Sequence, residues 1–278
     1  MDRRLVITAD DLGVDPQTNA AIVDLLKDGL VSATTLIPVA PAALDAVQRI
    51  KAAGVAPPRL HLTLSSAREL PPWRPFAPGV GSLTGPGGTF PIDAALAERR
   101  ASLPDLGREL GAQLAWMRRL GISPPALDSH SGTLYGLHGR SLASAAVDFC
   151  AANDLAFRLP RGLSRLLPLA VRGLRRAHRR AVQRADEHQV PLPESLASSW
   201  TPGHLVLGYR QLRAEVLHQL RRLPAGTSEL IVHPAPWSAT SWLPRAGARK
   251  RAWELRLLSD PVFHRTLQRE RIDIVPSW

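Results

Sequence analysis

The sequence predicts an α/β fold, a single (β/α) barrel, on three observations. Four short apolar runs each end on acidic or imidazole side chains. Stretches of helical periodicity lie between those runs. The chain has 278 residues, no internal repeat and no Gly/Ser-rich linker, which is ordinary for one such barrel. Residues 1–278 are therefore read as one domain.

The first strand is Leu5-Val6-Ile7-Thr8-Ala9, running into Asp10-Asp11. Pro16 to Gly29 carries Ala20, Ile22, Val23, Leu25 and Leu26 at helical spacing, and Gly29 ends it. Val31 to Ile37 reads as a second strand, Ala40 to Ala53 as a helix, and Gly54 to Pro58 as a turn into Arg59-Leu60-His61-Leu62. This β-α-β-α-β order favours a parallel sheet with crossover helices. Pro71 to Pro91 is too rich in Pro and Gly for a regular element; it reads as a functional loop or a disordered one, placed by its position after the His61 strand over the same mouth. Asp93 to Gly121 reads as one helix carrying Glu109, Gln113, Trp116 and Met117.

Ala126-Leu127-Asp128-Ser129-His130 closes the next strand, and Cys150 sits on an apolar helix face from Ala146 to Ala152. After Arg158 the barrel rhythm lapses, and about 158–200 is expected to form an Arg-rich helical cap. Gln211 to Arg222 is a further helix, before Glu229-Leu230-Ile231-Val232 delivers His233-Pro234. Leu255 to Arg271 closes the fold, with Ile272 to Val275 as the last strand.

Hydrophobic residues at 45% and charged residues at 21% are those of a globular protein. One cysteine allows no internal disulfide. No apolar stretch is long enough to span a bilayer and the N-terminus has no signal pattern, so a cytoplasmic protein is expected. The formal charge of +11 suggests polyanions: nucleic acid, an anionic membrane surface or a phosphorylated substrate. Its densest stretch runs from Arg158 to Arg184, centred on Leu174-Arg175-Arg176-Ala177-His178-Arg179-Arg180. The plainer reading is a solvated helix face; a phosphate-bearing or nucleotide-linked substrate is the other. Aromatic residues make up 5% of the chain and do not interleave with the arginines, so nucleic acid is not expected.

Taken singly, the strand-end residues have modest readings. Asp10 and Asp11 could cap the following helix, and His61 could be a hydrogen-bonded core histidine. Asp128 and His130 alternate as same-side strand neighbours, so Asp128 is expected to orient His130. Together they point to a metal centre in a hydrolase. An aspartate and two histidines leave coordination positions for water and substrate. Asp10 then supplies a base and His233 an acid.

These residues resemble the YdjC-like carbohydrate deacetylases along nearly the whole chain. The likeness begins with Ile7-Thr8-Ala9-Asp10-Asp11-Leu12-Gly13 and continues through Asn19-Ala20-Ala21-Ile22 and Gly29 to Thr34. It extends through Leu60-His61-Leu62-Thr63, Asp128-Ser129-His130 and Ile231-Val232-His233-Pro234. The resemblance implies a modified (β/α) barrel related to NodB-type deacetylases, removing an N-acetyl group from an amino sugar and releasing acetate. The sugar would be an N-acetylglucosamine-containing oligosaccharide, a glycoconjugate or a natural product. By this resemblance Asp11, His61 and His130 hold one divalent ion, magnesium or zinc. Asp10 is the base, His233 protonates the departing amine, and Asn19, Arg158 and Trp237 are candidates for contacting the sugar. A homodimer is one assembly it allows.

Three positions depart from the family pattern: Arg59 and Ala235 stand where glycine is usual, and no histidine follows His130 until His138. The alternatives are a non-catalytic metal- and sugar-binding barrel, which would need neither Asp10 nor His233, and a basic polyanion-binding protein.

Overall fold

A computed structural model describes residues 2–162 and 172–278. Among these, eight strands form one parallel sheet: β1 (Arg3–Leu12), β2 (Ala33–Leu36), β3 (Arg59–Leu62), β4 (Ala126–Ser129), β5 (Ala156–Phe157), β6 (Leu196–Ser198), β7 (Gly226–Val232) and β8 (Ile272–Ile274). Their order is β5-β4-β3-β2-β1-β7-β6, with β8 beside β1. β7 follows one edge of β1 from Arg3 to Ala9. The other edge is divided between β8, against Arg3–Leu5, and β2, against Thr8–Leu12. That divided edge is what modifies the barrel.

Beyond the outermost strands, the backbone itself bridges the gap. Phe157 N–H donates to Pro191 O at 3.0 Å, Arg161 N–H to Pro193 O at 2.9 Å, and Gly162 N–H to Glu194 O at 3.1 Å. The sheet thus curls round until its edges meet, and the C-terminal strand ends share one mouth.

The helices are α1 (Pro16–Lys27), α2 (Ala43–Ala53), α3 (Ala94–Arg100), α4 (Leu103–Arg119), α5 (Ala143–Asn153), α6 (Arg172–Glu187), α7 (Tyr209–Leu220), α8 (Arg245–Leu258) and α9 (Pro261–Arg269). In α1, Asp15 accepts from the N–H groups of Gln17 and Thr18, Pro16 opens the first turn, and Ile22, Val23 and Leu25 are buried. None of the described helices is long and apolar enough to cross a membrane.

Local chemistry divides two stretches that read as continuous. Asp93 to Gly121 becomes α3 and α4, because Ser102 caps a new helix and Pro104 sits in its first turn. Pro104 has no N–H to continue the preceding helix. Leu255 to Arg271 breaks the same way, with Asp260 capping α9 ahead of Pro261. Within 158–200 lie α6, packed on α5, and β6, which is a barrel strand. Residues 163–171 of that segment lie outside the described residues.

The irregular stretch Pro71 to Pro91 is pinned at several points. Trp73 and Phe90 are buried, and Phe90 N–H donates to Trp73 O at 2.8 Å. The Glu109 carboxylate accepts from Phe76 N–H and Ala77 N–H at 3.0 and 2.8 Å. The Trp73 ring lies 5.5 Å from that of His130, so the loop packs against the His130 side of the mouth.

The barrel interior is charged. Arg59 is 2% exposed, pairs with Glu229 at 2.8 Å, and stacks under the Trp278 ring at 3.7 Å. Above it, Glu229 Oε1 also receives Arg158. Arg59 thus belongs to the barrel floor.

Candidate metal centre and active site

Asp10 and Asp11 face the same cavity although they are consecutive in a strand. The reason is local: β1 and β2 lose register between Ala9 and Leu12, and Asp11 adopts φ of 71°. Such an irregularity re-aims side chains at a strand end. Gly13 follows at φ of 108°, and a Cβ there would stand 3.0 Å from Ile37 O, so the turn needs glycine on both counts. Asn19 holds this turn. Its Oδ1 accepts from Gly13 N–H at 2.7 Å, and its Nδ2 donates to Ala42 O and Asp45.

Asp11 Oδ1 faces His61 Nε2 at 3.5 Å and His130 Nδ1 at 3.6 Å. Ligand atoms about 2.0–2.2 Å from a tetrahedral ion stand roughly 3.3–3.6 Å apart, so this trio has the spacing of a metal centre. Asp10, Asp11, Asp128 and Glu229 are buried carboxylates, and Arg59, Arg158 and Arg251 are the guanidinium groups that pair with them.

The other nitrogen of His61 meets Asp128. β3 and β4 pair His61 directly with Asp128, and His61 Nδ1 donates to Asp128 Oδ1 at 2.5 Å. This fixes the tautomer that turns Nε2 toward Asp11. The expected Asp128–His130 partnership is corrected here. β4 ends at Ser129, and His130 begins a tight turn in which Ser131 adopts φ of 54°, so strand alternation no longer relates the two. Burial pushes the His61 imidazole down, but the Asp128, Asp10 and Asp11 carboxylates hold it up at about 10 without a cation.

Asp10 sits against Arg158, whose Nη1 and Nη2 donate to Oδ2 and Oδ1 at 2.7 and 2.9 Å. Thr35 Oγ1 donates to Oδ1 at 3.0 Å. Burial would raise the Asp10 carboxyl, but Arg158 outweighs it and holds the group down at about 2. Arg158 also reaches Asp128 at 2.8 Å, so one guanidinium ties Asp10, Asp128 and Glu229 together.

On the strand beside β1, His233 lines the cavity just past the end of β7, its side chain 37% exposed. Its backbone N–H donates to Glu254 Oε2 at 2.7 Å, and Nδ1 lies 3.7 Å from the same oxygen. Burial lowers its imidazole, but Glu254 and Asp11 carry it above the ordinary histidine value. Arg251 Nη2 donates to Asp11 Oδ2 at 2.5 Å.

The structure thus gathers Asp10, Asp11, His61, His130, His233 and Arg158 around one cavity of about 660 Å³. It does not bring in Asn19, which is fully buried and engaged with the turn, or Trp237, which is 55% exposed on a short turn outside the cavity lining.

A family description, YdjC-like protein, matches residues 4–269. The chain belongs to the YdjC-like family. It is 30% identical over 248 residues to a carbohydrate deacetylase of Mus musculus, covering 83% of this chain and 77% of that one. It is 25% identical over 266 residues to a carbohydrate deacetylase of Geobacillus stearothermophilus, covering 95% and 92%. In fold it is similar to a candidate cellobiose-phosphate cleavage protein of Enterococcus faecalis V583. The TM-score is 0.73 at 20% identity, over 99% of this chain and 97% of the other.

Three groups that hold this YdjC-like site in place, Glu229, Arg251 and Glu254, escaped the sequence reading. Glu229 left a signal, a carboxylate at the head of the apolar run Leu230-Ile231-Val232. Arg251 and Glu254 left none, because they look like ordinary surface residues of a charged helix.

Proposed function

We propose that this YdjC-like protein is a metal-dependent hydrolase that removes the acetyl group from an N-acetylated amino sugar and releases acetate. The observation that carries the reading is the trio Asp11, His61 and His130 at ligand spacing, with Asp10 and His233 on the same cavity. The relatives named carbohydrate deacetylases support it. Two imidazoles and one carboxylate suit zinc better than magnesium, which prefers oxygen ligands. A divalent cation bound there supplies Lewis-acid polarisation and acidifies a coordinated water.

The residues of the chain supply the rest. Asp10 stays ionised at every working pH, and Oδ2, with a single bond from Arg158, has a lone pair left for a water proton. Arg158 fixes that carboxylate in two directions, so it needs no reorganisation as the water attacks. His233, held above the ordinary histidine value by Glu254 and Asp11 and open to the cavity, delivers a proton to the departing amine nitrogen. Glu254 keeps the ring aimed inward.

The test is acetate release from N-acetylglucosamine glycosides by wild-type and Asp11→Asn protein. Release that depends on Asp11 supports the reading. Absence of release from every glycoside by wild-type protein of full zinc content overturns it.

A further inference from the structure

Two guanidinium groups meet on one carboxylate oxygen beneath the cavity. Glu229 Oε1 accepts from Arg158 Nη2 at 2.8 Å and Nε at 3.1 Å, and from Arg59 Nη1 at 2.8 Å. Toward the cavity, Arg158 continues to Asp10 through two bonds of 2.7 and 2.9 Å. Toward the barrel floor, Arg59 Nη2 donates to Pro276 O at 3.3 Å, and its guanidinium carbon lies 3.7 Å from the Trp278 ring. Trp278 Nε1 in turn donates to Pro191 O at 3.2 Å, the carbonyl that Phe157 N–H also reaches where the barrel closes. A continuous line of contacts therefore joins Trp278 to Asp10. Arg59, Glu229 and Trp278 are all outside the cavity lining.

Glu229 is fully buried, so its charge needs a cation close by. Without Arg59, Arg158 would serve three buried carboxylates alone: Asp10, Asp128 and Glu229. All three pull on one planar fork, and a guanidinium drawn harder toward Glu229 loses its alignment with Asp10. Arg59 relieves that pull by offering Glu229 a second positive charge from the far side. The Trp278 ring holds the Arg59 guanidinium by a cation–π contact. Among the described residues, Glu229 is the one carboxylate with which Arg59 pairs.

We propose that Arg59 is a positioning residue for the Asp10 carboxylate, acting through Glu229 and Arg158, and that Trp278 holds Arg59 in that place. The assignment rests on the deacetylase reading, in which Asp10 is the base. Neither Arg59 nor Trp278 lines the cavity or belongs to the Asp11, His61 and His130 trio. Their effect therefore falls on kcat and spares KM and zinc content.

Acetate release from the methyl glycoside of N-acetylglucosamine is followed in zinc-loaded protein. In Arg59→Met kcat is expected to fall by about 10- to 100-fold at unchanged KM, since a misplacement of about 1 Å can cost about 100-fold. Arg59→Lys keeps the positive charge and recovers most of that rate. Trp278→Leu leaves the buried pair in place, so it folds even if Arg59→Met does not. It is expected to lose about two- to fivefold in kcat, the scale of one cation–π contact. In a Glu229→Gln background Arg59→Met lowers kcat no further, because the carboxylate through which it acts is gone. Wild-type kcat in either folded single variant, or an equal further loss in the Glu229→Gln background, overturns the proposal. The Nε–H resonance of Arg158 in arginine-labelled protein, assigned by its absence in Arg158→Lys, reads the coupling without turnover. A resonance that shifts in Trp278→Leu, with no acetate from wild-type protein, would reject the deacetylase reading while keeping the coupling. Acetate release with an unmoved resonance and unchanged kcat would reject the coupling and keep the deacetylase.

Discussion

Asp128 stands opposite His61 across the β3–β4 pair and takes the proton of its Nδ1, so the orientation of one proposed metal ligand is set by the neighbouring strand. Replacing a partner of this kind usually costs 10–100-fold in metal affinity. Asp128→Asn can still accept through its amide oxygen but leaves Arg158 one carboxylate short. A loss of about tenfold in zinc affinity, with folding retained, is expected by calorimetry. Unchanged affinity would show that His61 is held by packing alone.

Asp10→Asn separates metal binding from chemistry. Asp10 touches Arg158 and Thr35 but is not among Asp11, His61 and His130. The variant is expected to keep its zinc stoichiometry while kcat falls about 10²–10⁴-fold, the usual worth of a positioned base. Appreciable turnover in Asp10→Asn would remove it from that role.

Metal binding should release protons. In the cation-free site burial lowers the His61 imidazole, yet Asp128 and its neighbours hold it up at about 10, so the ring carries a proton at pH 7–8. A ligand nitrogen must be deprotonated to bind. Calorimetry in buffers of different ionisation enthalpy should therefore report close to one proton released per ion, with affinity rising as pH increases toward 10. No proton release would mean His61 is neutral before the ion arrives.

Asp260 offers a test far from the cavity. It caps α9 through Val262 N–H at 2.7 Å and receives Arg213 at 2.9 Å and the Tyr209 hydroxyl. Burial would raise its carboxyl, but Tyr209 and Arg213 hold it down at about 2. Its unfolded value lies near 3.9, so its charged contribution is complete above about pH 4 and is lost as pH falls through about 2. Asp260→Ala should lower unfolding stability by about 1–3 kcal/mol at pH 7, with the difference shrinking between about pH 4 and 2. Urea denaturation at several pH values checks it.

What the sequence revealed and what it hid follow one physical line. The parallel barrel and the strand-end positions of Asp10, Asp11, His61, His130 and His233 were legible because apolar runs and their boundaries are local. The pairing of Asp128 was not. It depends on the β3–β4 register, and the i, i+2 rule that tied Asp128 to His130 lapses where β4 ends at Ser129. Arg251 and Glu254 reach the site from α8, some twenty residues past His233, through tertiary packing alone. Asn19 was legible as part of a motif, but its amide serves the Gly13 turn.

The most direct test of the central claim runs metal-stripped and zinc-restored protein side by side on an N-acetylglucosamine glycoside and follows acetate with time. The trio Asp11, His61 and His130 predicts no release after stripping and full recovery at one zinc ion per chain. Equal acetate release from stripped and restored protein would contradict it.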